Sequence, residues 1–439
     1  MVIMSTAFTA IGIPAAEQSY AAAGQKKSVI NEKVYPNGLK LVHKLNTANT
    51  IVSISAFLKN GNYYEPQDMK GITHFVQAII SRGTKTKTSE QIGELFSGSG
   101  AIFGADTAMD YAEVYMVITK PELKDMWQLF YEIISEPVFP DAEIEKERKA
   151  GIAAIKSREE EIFNVAFDNL QNLMYPGHPY SYPSIGEIGV MEKIKRDDLV
   201  NYHKNMYVPN NMLLVVVGNV SWEETQKLVD QTYAKMMKNE GLSFPKVVPV
   251  NMIENSSENV YTKKFKQGYV MRGYLAPNAM DEDYIVFKVI NGILGGAMSA
   301  RLFTELRDKL SLGYEVNCFF PTKKDTSQFV VYLGLDDKRV DTAKEAVEKE
   351  IEKLRSVPVS EKELKETKQH IRGSYLMSHS TNKSQAWLLG WWEMAGRGYA
   401  YDDKYLSALE KVTSEDIMRV SKKYFTNYIT TVVRSGLEK

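Results

Sequence analysis

A single cysteine, Cys318, occurs in 439 residues, so no intrachain disulfide and no cysteine-based metal site can be built. Thiol catalysis would rest on that residue alone. It sits in the apolar run Val316-Asn-Cys318-Phe-Phe320, the setting of a buried strand thiol. Net charge is equally scarce: 54 basic residues face 55 acidic ones, which argues against a broad electrostatic footprint for nucleic acid. Short basic stretches such as Lys85-Thr-Lys87 and Lys422-Lys423 read as solvated faces. No apolar run approaches the roughly 20 residues that span a bilayer, so no membrane span is expected. Residues Val2 to Ala16 carry no charge, and Ala21-Ala-Ala23 offers a small-residue cleavage site, although no Lys or Arg precedes Lys26. Residues 1–27 therefore read as a signal peptide or a disordered apolar tail. The expectation is a periplasmic or exported protein, and a cytoplasmic one otherwise.

With those classes set aside, 44% hydrophobic and 25% charged residues describe a globular protein with room for two or three domains. The chain repeats itself. Glu192-Lys-Ile-Lys-Arg-Asp-Asp-Leu199 matches Glu410-Lys-Val-Thr-Ser-Glu-Asp-Ile417, and each copy runs on into an apolar strand, Leu213–Val217 or Ile429–Val433. Pro137-Val138 before Asp141-Ala-Glu143-Ile144 likewise matches Pro358-Val359 before Glu361-Lys-Glu363-Leu364. The offset is about half the chain, far too long for a solenoid. The reading is two copies of one domain, 28–236 and 259–439, joined by a Gly/Pro/Asn/Ser-bearing linker over 237–258.

Within the first copy, 51–58 is β-rich, 71–82 helical and 112–118 alternates as a strand. Residues 121–136 and 141–172 read as two helices, the second laced with charge. Strands with segregated helices make each copy α+β, an antiparallel sheet with packed helices, in place of a doubly wound parallel fold. Gly98-Ser-Gly100-Ala-Ile-Phe-Gly104 suggests a dinucleotide loop, but it leads into a strand and its spacing is wrong. Trp387, Trp391 and Trp392 read as core.

The most informative stretch is Gly71-Ile-Thr-His74-Phe-Val-Gln77-Ala78-Ile-Ile80. Ile72, Phe75, Val76, Ile79 and Ile80 form a buried helical stripe, which leaves His74, Gln77 and Ala78 on the opposite face. A zinc helix would carry two imidazoles four apart there, with a carboxylate beside the second to activate water. One imidazole is present.

This stretch, with Gly83-Thr84 after it, resembles the zinc helix of the pitrilysin and mitochondrial-processing-peptidase family, inverted zincins with the motif His-x-x-Glu-His. Glu147-Arg148-Lys149, His178-Pro179 before Gly186, and Tyr207-Val-Pro209-Asn-Asn-Met212 agree with it. So does Leu294-Gly-Gly-Ala-Met-Ser-Ala-Arg-Leu-Phe303 followed by Leu306-Arg307. The resemblance implies a clam-shell-like pair of similar α+β domains around a peptide-holding chamber. It also implies a degenerate zinc site: His74 matches the first ligand, Gln77 replaces the general base, Ala78 the second His, and Ala153 or Ala154 the distal Glu. No metal or other cofactor is therefore expected in this chain. The family's C-domain Arg/Tyr pair is matched by Arg307 and Tyr314, which would stabilise negative charge on a scissile carbonyl. The family's substrate-binding edge strand would fall on Ala101–Thr107, with Ala101, Phe103, Ala105 and Thr107 along it. The implied function is the zinc-free subunit of a heterodimeric metalloendopeptidase, with zinc in a homologous partner and a peptide or unfolded polypeptide as substrate. A wholly non-catalytic scaffold or peptide-binding subunit of the same fold is the alternative. A self-sufficient hydrolase finds no support, because His43, His178, His203, His370 and His379 lie in unrelated contexts.

Overall fold

The computed structural model describes residues 29–436; the N-terminal segment read as a signal or tail lies outside them. The chain opens with strands β1 (Ile30–Val34), β2 (Lys40–Leu45) and β3 (Ile51–Leu58). Helices α1 (Ile72–Ile79) and α2 (Ser89–Ser99) precede the hairpin β4 (Ile102–Thr107) and β5 (Ala112–Thr119). Five helices follow: α3 (Leu123–Ser135), α4 (Asp141–Arg158), α5 (Ile162–Met174), α6 (Ile188–Met191) and α7 (Arg196–Met206). Strand β6 (Met212–Gly218) and α8 (Trp222–Gln231) close the first half.

The second half repeats the order. Strands β7 (Ser257–Lys263) and β8 (Gly268–Ala276) lead to α9 (Tyr284–Leu294) and a π-wound segment, Leu302–Lys309. Next come β9 (Glu315–Phe319), β10 (Ser327–Leu335), α10 (Val340–Ser356) and α11 (Glu361–Met377). The chain ends with α12 (Asn382–Met394), α13 (Tyr401–Glu410), α14 (Ser414–Tyr424) and β11 (Ile429–Ser435).

The architecture is two α+β domains in tandem, each built on one sheet, ordered β1-β2-β6-β3-β5-β4 and β7-β11-β8-β10-β9. Neighbours are antiparallel except for one parallel pair per sheet, β2–β6 and β7–β11. The reason is topological. Strands β2 and β3 run in opposite senses, and β6 returns from the helices to lie between them, so it must parallel one of the two.

The domains exchange a helix. Strand β6 is apolar throughout because both of its faces are buried. Leu214 and Val216 face the first domain's own helical core, while Leu213, Val215 and Val217 face Ala386 and Leu389 of α12 from the other domain. Reciprocally, Ala166, Leu170 and Met174 of α5 lie against Tyr269, Met271 and Val433 of the second sheet. The contact is close enough to require glycine. A Cβ at Gly390 of α12 would come within 2.0 Å of the Phe57 ring.

The segment 141–172 is two helices, not one. Helix α4 ends at Arg158 and α5 begins at Ile162, and Glu161 of the turn between them stands at the positive end of the α5 macrodipole. Glu159 faces Lys263 of the second domain, at 3.7 Å.

Polar contacts lock the two domains where the β9–β10 connection enters the first. Asp110 accepts from the Lys324 amide (2.9 Å) and the Tyr180 hydroxyl, and Lys324 Nζ donates to Tyr64 Oη (2.6 Å). Lys323 is buried between the rings of Tyr175 and Tyr180, and its Nζ has no hydrogen-bond partner. Burial lowers its ammonium to about 7, against the opposing pull of Asp110. In the unfolded chain the group titrates near its ordinary ~10.4. Below about pH 7 both states are protonated and the folded protein bears the full cost of a buried charge. Between about 7 and 10 only the unfolded state binds the proton, so stability rises with pH by up to ~1.4 kcal/mol per unit. Lys323→Met removes that dependence. Urea melts should show the variant more stable than wild type at pH 7, with the advantage shrinking toward pH 10.

Candidate functional site

Helix α1 begins at Gly71, whose φ of 89° and approach to the Gly186 backbone exclude a side chain. Glu65 accepts from the amides of Gly71 (2.8 Å) and Thr73 (2.9 Å), satisfying donors at the helix start. Ile72, Phe75, Val76, Ile79 and Ile80 are fully buried, as the periodicity requires. The other face is also covered, because α4 lies against α1. His74 and Ala78 are half-buried, whereas Gln77 is only 3% exposed and neither of its amide atoms has a partner. The face opposite the apolar stripe is thus packed over at Gln77. Burial holds the His74 imidazolium below its ordinary range, with Glu147 of α4 opposing. Ala153 and Ala154 lie on α4 and offer no ligating atom.

Strand β4 forms the free edge of the first sheet, hydrogen-bonded only to β5, and it lies beside α1. Ala101, Phe103 and Ala105 pack inward, with Phe103 stacked on Phe96 at 5.1 Å. Ile102 projects outward at 61% exposure. The hydroxyl of Thr107 is buried without a partner. What this edge offers a ligand is its backbone.

Arg307 and Tyr314 flank the entry into β9, the free edge of the second sheet. The sequence places Arg307 beside a stripe of Met298, Leu302, Phe303, Leu306 and Leu310. Only Leu302 and Leu306 are buried; Met298 is 77% and Leu310 48% exposed. The segment is π-wound, with Leu310 N bonded to Glu305 O, so the wider turn rotates Leu310 off the stripe. Arg307 is exposed, lies 4.6 Å over the Phe303 ring and makes no salt bridge among the described residues. Tyr314 is 50% exposed. Partial burial and then Glu315 raise its phenol above the ordinary range, so it remains a hydrogen-bond donor at neutral pH.

Sequence reading missed what shapes this edge. Tyr314 lies across Gly334, where a Cβ would come 2.4 Å from the phenol oxygen. The guanidinium of Arg339 holds the turn by donating to the carbonyls of Leu310 (2.8 Å) and Ser311. A glycine near the end of the apolar strand Phe329–Leu335 was the available signal. Arg307 and Tyr314 share no hydrogen bond or salt bridge with His74, Gln77, Ala78 or Ala154 among the described residues. The structure keeps the two groups in separate domains.

Residues 40–187 match the family profile described as "Insulinase (Peptidase family M16)", and residues 193–371 match "Peptidase M16 inactive domain". The chain belongs to peptidase family M16. The Bacillus subtilis protein described as "Uncharacterized zinc protease YmxG" is 24% identical over 394 residues, 89% of this chain and 94% of that one. A crystal structure of a protease from Helicobacter pylori has a TM-score of 0.88 at 19% identity, over 93% of this chain and 99% of that chain. A peptidase M16 inactive domain from Pseudomonas fluorescens has a TM-score of 0.86 at 20% identity, with the same coverage.

The zinc named for M16 relatives does not fit the donor set of this cleft. A catalytic zinc takes three protein ligands, and the positions of the zinc motif provide the imidazole of His74 with an amide and two methyl groups, Glu147 of α4 being the carboxylate that acts on His74. Among the described residues, no group of three or more His, Cys, Asp or Glu side chains could hold a metal ion. Four of the remaining histidines are held by hydrogen bonds, and the fifth, His370, is exposed on α11. His43 and His203 bond the carbonyls of Val220 and Ile134, both at 2.8 Å. His178 accepts from the Tyr180 amide, and both ring nitrogens of His379 are taken by Tyr375 O and Asp402. Burial pushes the Cys318 thiol up, which leaves it a poor nucleophile.

Proposed function

We propose that this M16 chain is the partner subunit of a two-chain metalloendopeptidase, in which a homologous chain supplies the metal and the general base. One observation carries the reading. Arg307 and Tyr314 are held exposed and free of salt bridges on an edge shaped by Gly334 and Arg339, in a chain whose own cleft retains one imidazole. A guanidinium and a protonated phenol on a free edge suit one task well: donating to the oxygen of a peptide carbonyl as it gains negative charge. The substrate is an extended peptide. Its backbone pairs with the open edge of β4, the region of Ala101, Phe103, Ala105 and Thr107, by strand addition. The uncharged stretch Val2–Ala16 supports work outside the cytoplasm.

The test is co-expression with an M16 chain of the same genome that has an intact His-x-x-Glu-His. The expected result is a one-to-one complex on size exclusion, burying at least a standard interface of about 1,600 Å². The complex should hold one zinc and cleave peptides, while this chain alone should hold none and cleave nothing. One tightly held zinc in the isolated chain would overturn the reading. Failure to associate with any such relative would leave a peptide-binding scaffold.

A further inference from the structure

The internal repeat extends to the cleft. The burial pattern of Ile72–Ile80 recurs over Val286–Leu294, apart from buried Gln77 against half-buried Asn291. On this register, Lys288, Asn291 and Gly292 of α9 stand where α1 has His74, Gln77 and Ala78. Helix α11 pairs with α9 as α4 pairs with α1, and aligning their first residues sets Ser374 at the place of Ala154. All four equivalents, Lys288, Asn291, Gly292 and Ser374, line one cavity of about 360 Å³. Its remaining wall is mostly aromatic and aliphatic, with Trp387 and Trp391 of α12 stacked at 5.2 Å, and His370 of α11 also lines it. These two tryptophans are half-buried and face the cavity; only Trp392 is the core residue expected from the sequence.

The second domain therefore keeps an open site at the position of the zinc cleft, rebuilt with different chemistry. It is mostly apolar with a few convergent polar groups, the make-up of a small-ligand pocket. No carboxylate lines it. Lys288 donates to the Phe320 carbonyl (3.1 Å) and makes no salt bridge among the described residues. Two of its three ammonium protons remain for a ligand. The nearby carboxylate of Asp402 is occupied by Tyr375 and His379.

We propose that this cavity binds an apolar carboxylic acid, its aromatic or branched side group against the stacked tryptophans and its carboxylate on Lys288. The acid is a free small molecule or the C-terminal residue of a peptide; both present the same chemistry. The site stands independently of the two-chain reading, since it needs neither a partner nor Arg307 and Tyr314. Burial lowers Lys288 to about 8. A bound anion pulls it back up, so binding near pH 8 takes up protons.

Calorimetry on the full chain tests this with N-acetylphenylalanine, its amide, and a Gly-Gly-Gly-Phe peptide with a free or amidated C-terminus. The expected result is saturable binding of the acids, at least about tenfold tighter than of the amides, with heats that report proton uptake. Lys288→Met should abolish the preference for acid over amide. Ser374→Trp, at an exposed helix position that leaves the fold intact, should fill the cavity and block both. A tighter peptide acid assigns the ligand to a chain terminus, and equal affinities assign it to a free acid. Equal binding of acid and amide, no binding of any probe at millimolar concentration, or full binding by Ser374→Trp overturns the proposal.

Discussion

Tyr314→Phe lowers kcat of the reconstituted two-chain enzyme by roughly 10²–10³ and leaves KM little changed, by analogy with other oxyanion donors. The phenol oxygen is held across Gly334 on a free edge, and a pKa raised by partial burial and then Glu315 keeps its proton in place at neutral pH. Phenylalanine keeps the ring and its packing and deletes only the donor. The loss is therefore confined to the state in which the carbonyl oxygen carries charge. Arg307→Lys should fall in the same direction, because a point charge does not reproduce a planar fork. The complex should stay assembled in both variants, since both side chains are exposed and both substitutions keep the bulk of the side chain. Steady-state kinetics on the intact complex decide the matter. Full activity in both variants would remove the pair from catalysis and favour the scaffold.

Gly390→Val destabilises the chain by about 3 kcal/mol, the upper end for overpacking a core. The nearest atoms to the new Cβ belong to the ring of Phe57, which is fully buried between β6 and α12 and has nowhere to withdraw. The strain falls on the junction of the two domains, because α12 belongs to the second domain and Phe57 to the first. Urea unfolding should show a lower midpoint. A separate early transition for one domain would show that α12 had been released from the first sheet. An unchanged midpoint would mean that the junction yields, and that the helix exchange is not what holds the domains together.

Much of the candidate site was legible because it depends on residue identity at known spacing. Gln77 cannot serve as a general base and Ala78 has no ligating side-chain atom in any fold, and Arg307 and Tyr314 lie close enough in the chain to share one edge. The helical stripe of α1 was legible for the same reason: periodicity alone assigns Ile72, Phe75, Val76, Ile79 and Ile80 to the core. The burial of Gln77 was not legible, since it depends on α4, more than sixty residues later in the chain, lying on the polar face. The π-wound segment escaped as well. Its pattern of Leu302, Phe303, Leu306 and Leu310 fits an ordinary helix, and the i→i+5 hydrogen bonds appear only in the backbone.

Three things followed from the sequence by itself. The chain is a duplicated α+β protein, its zinc-motif helix carries one imidazole where two are needed, and it has neither a disulfide nor a net charge to bind nucleic acid. Each is a matter of which atoms are present and at what local period, and tertiary contacts cannot change that. The tertiary structure alone decided that the domains exchange α5 and α12, that Lys323 is buried without a hydrogen-bond partner between two tyrosines, and that the tryptophans of α12 wall an open cavity. These depend on contacts between segments far apart in the chain. Their energies come from burial, and burial is a property of the folded neighbours of a side chain, which its position in the sequence does not reveal.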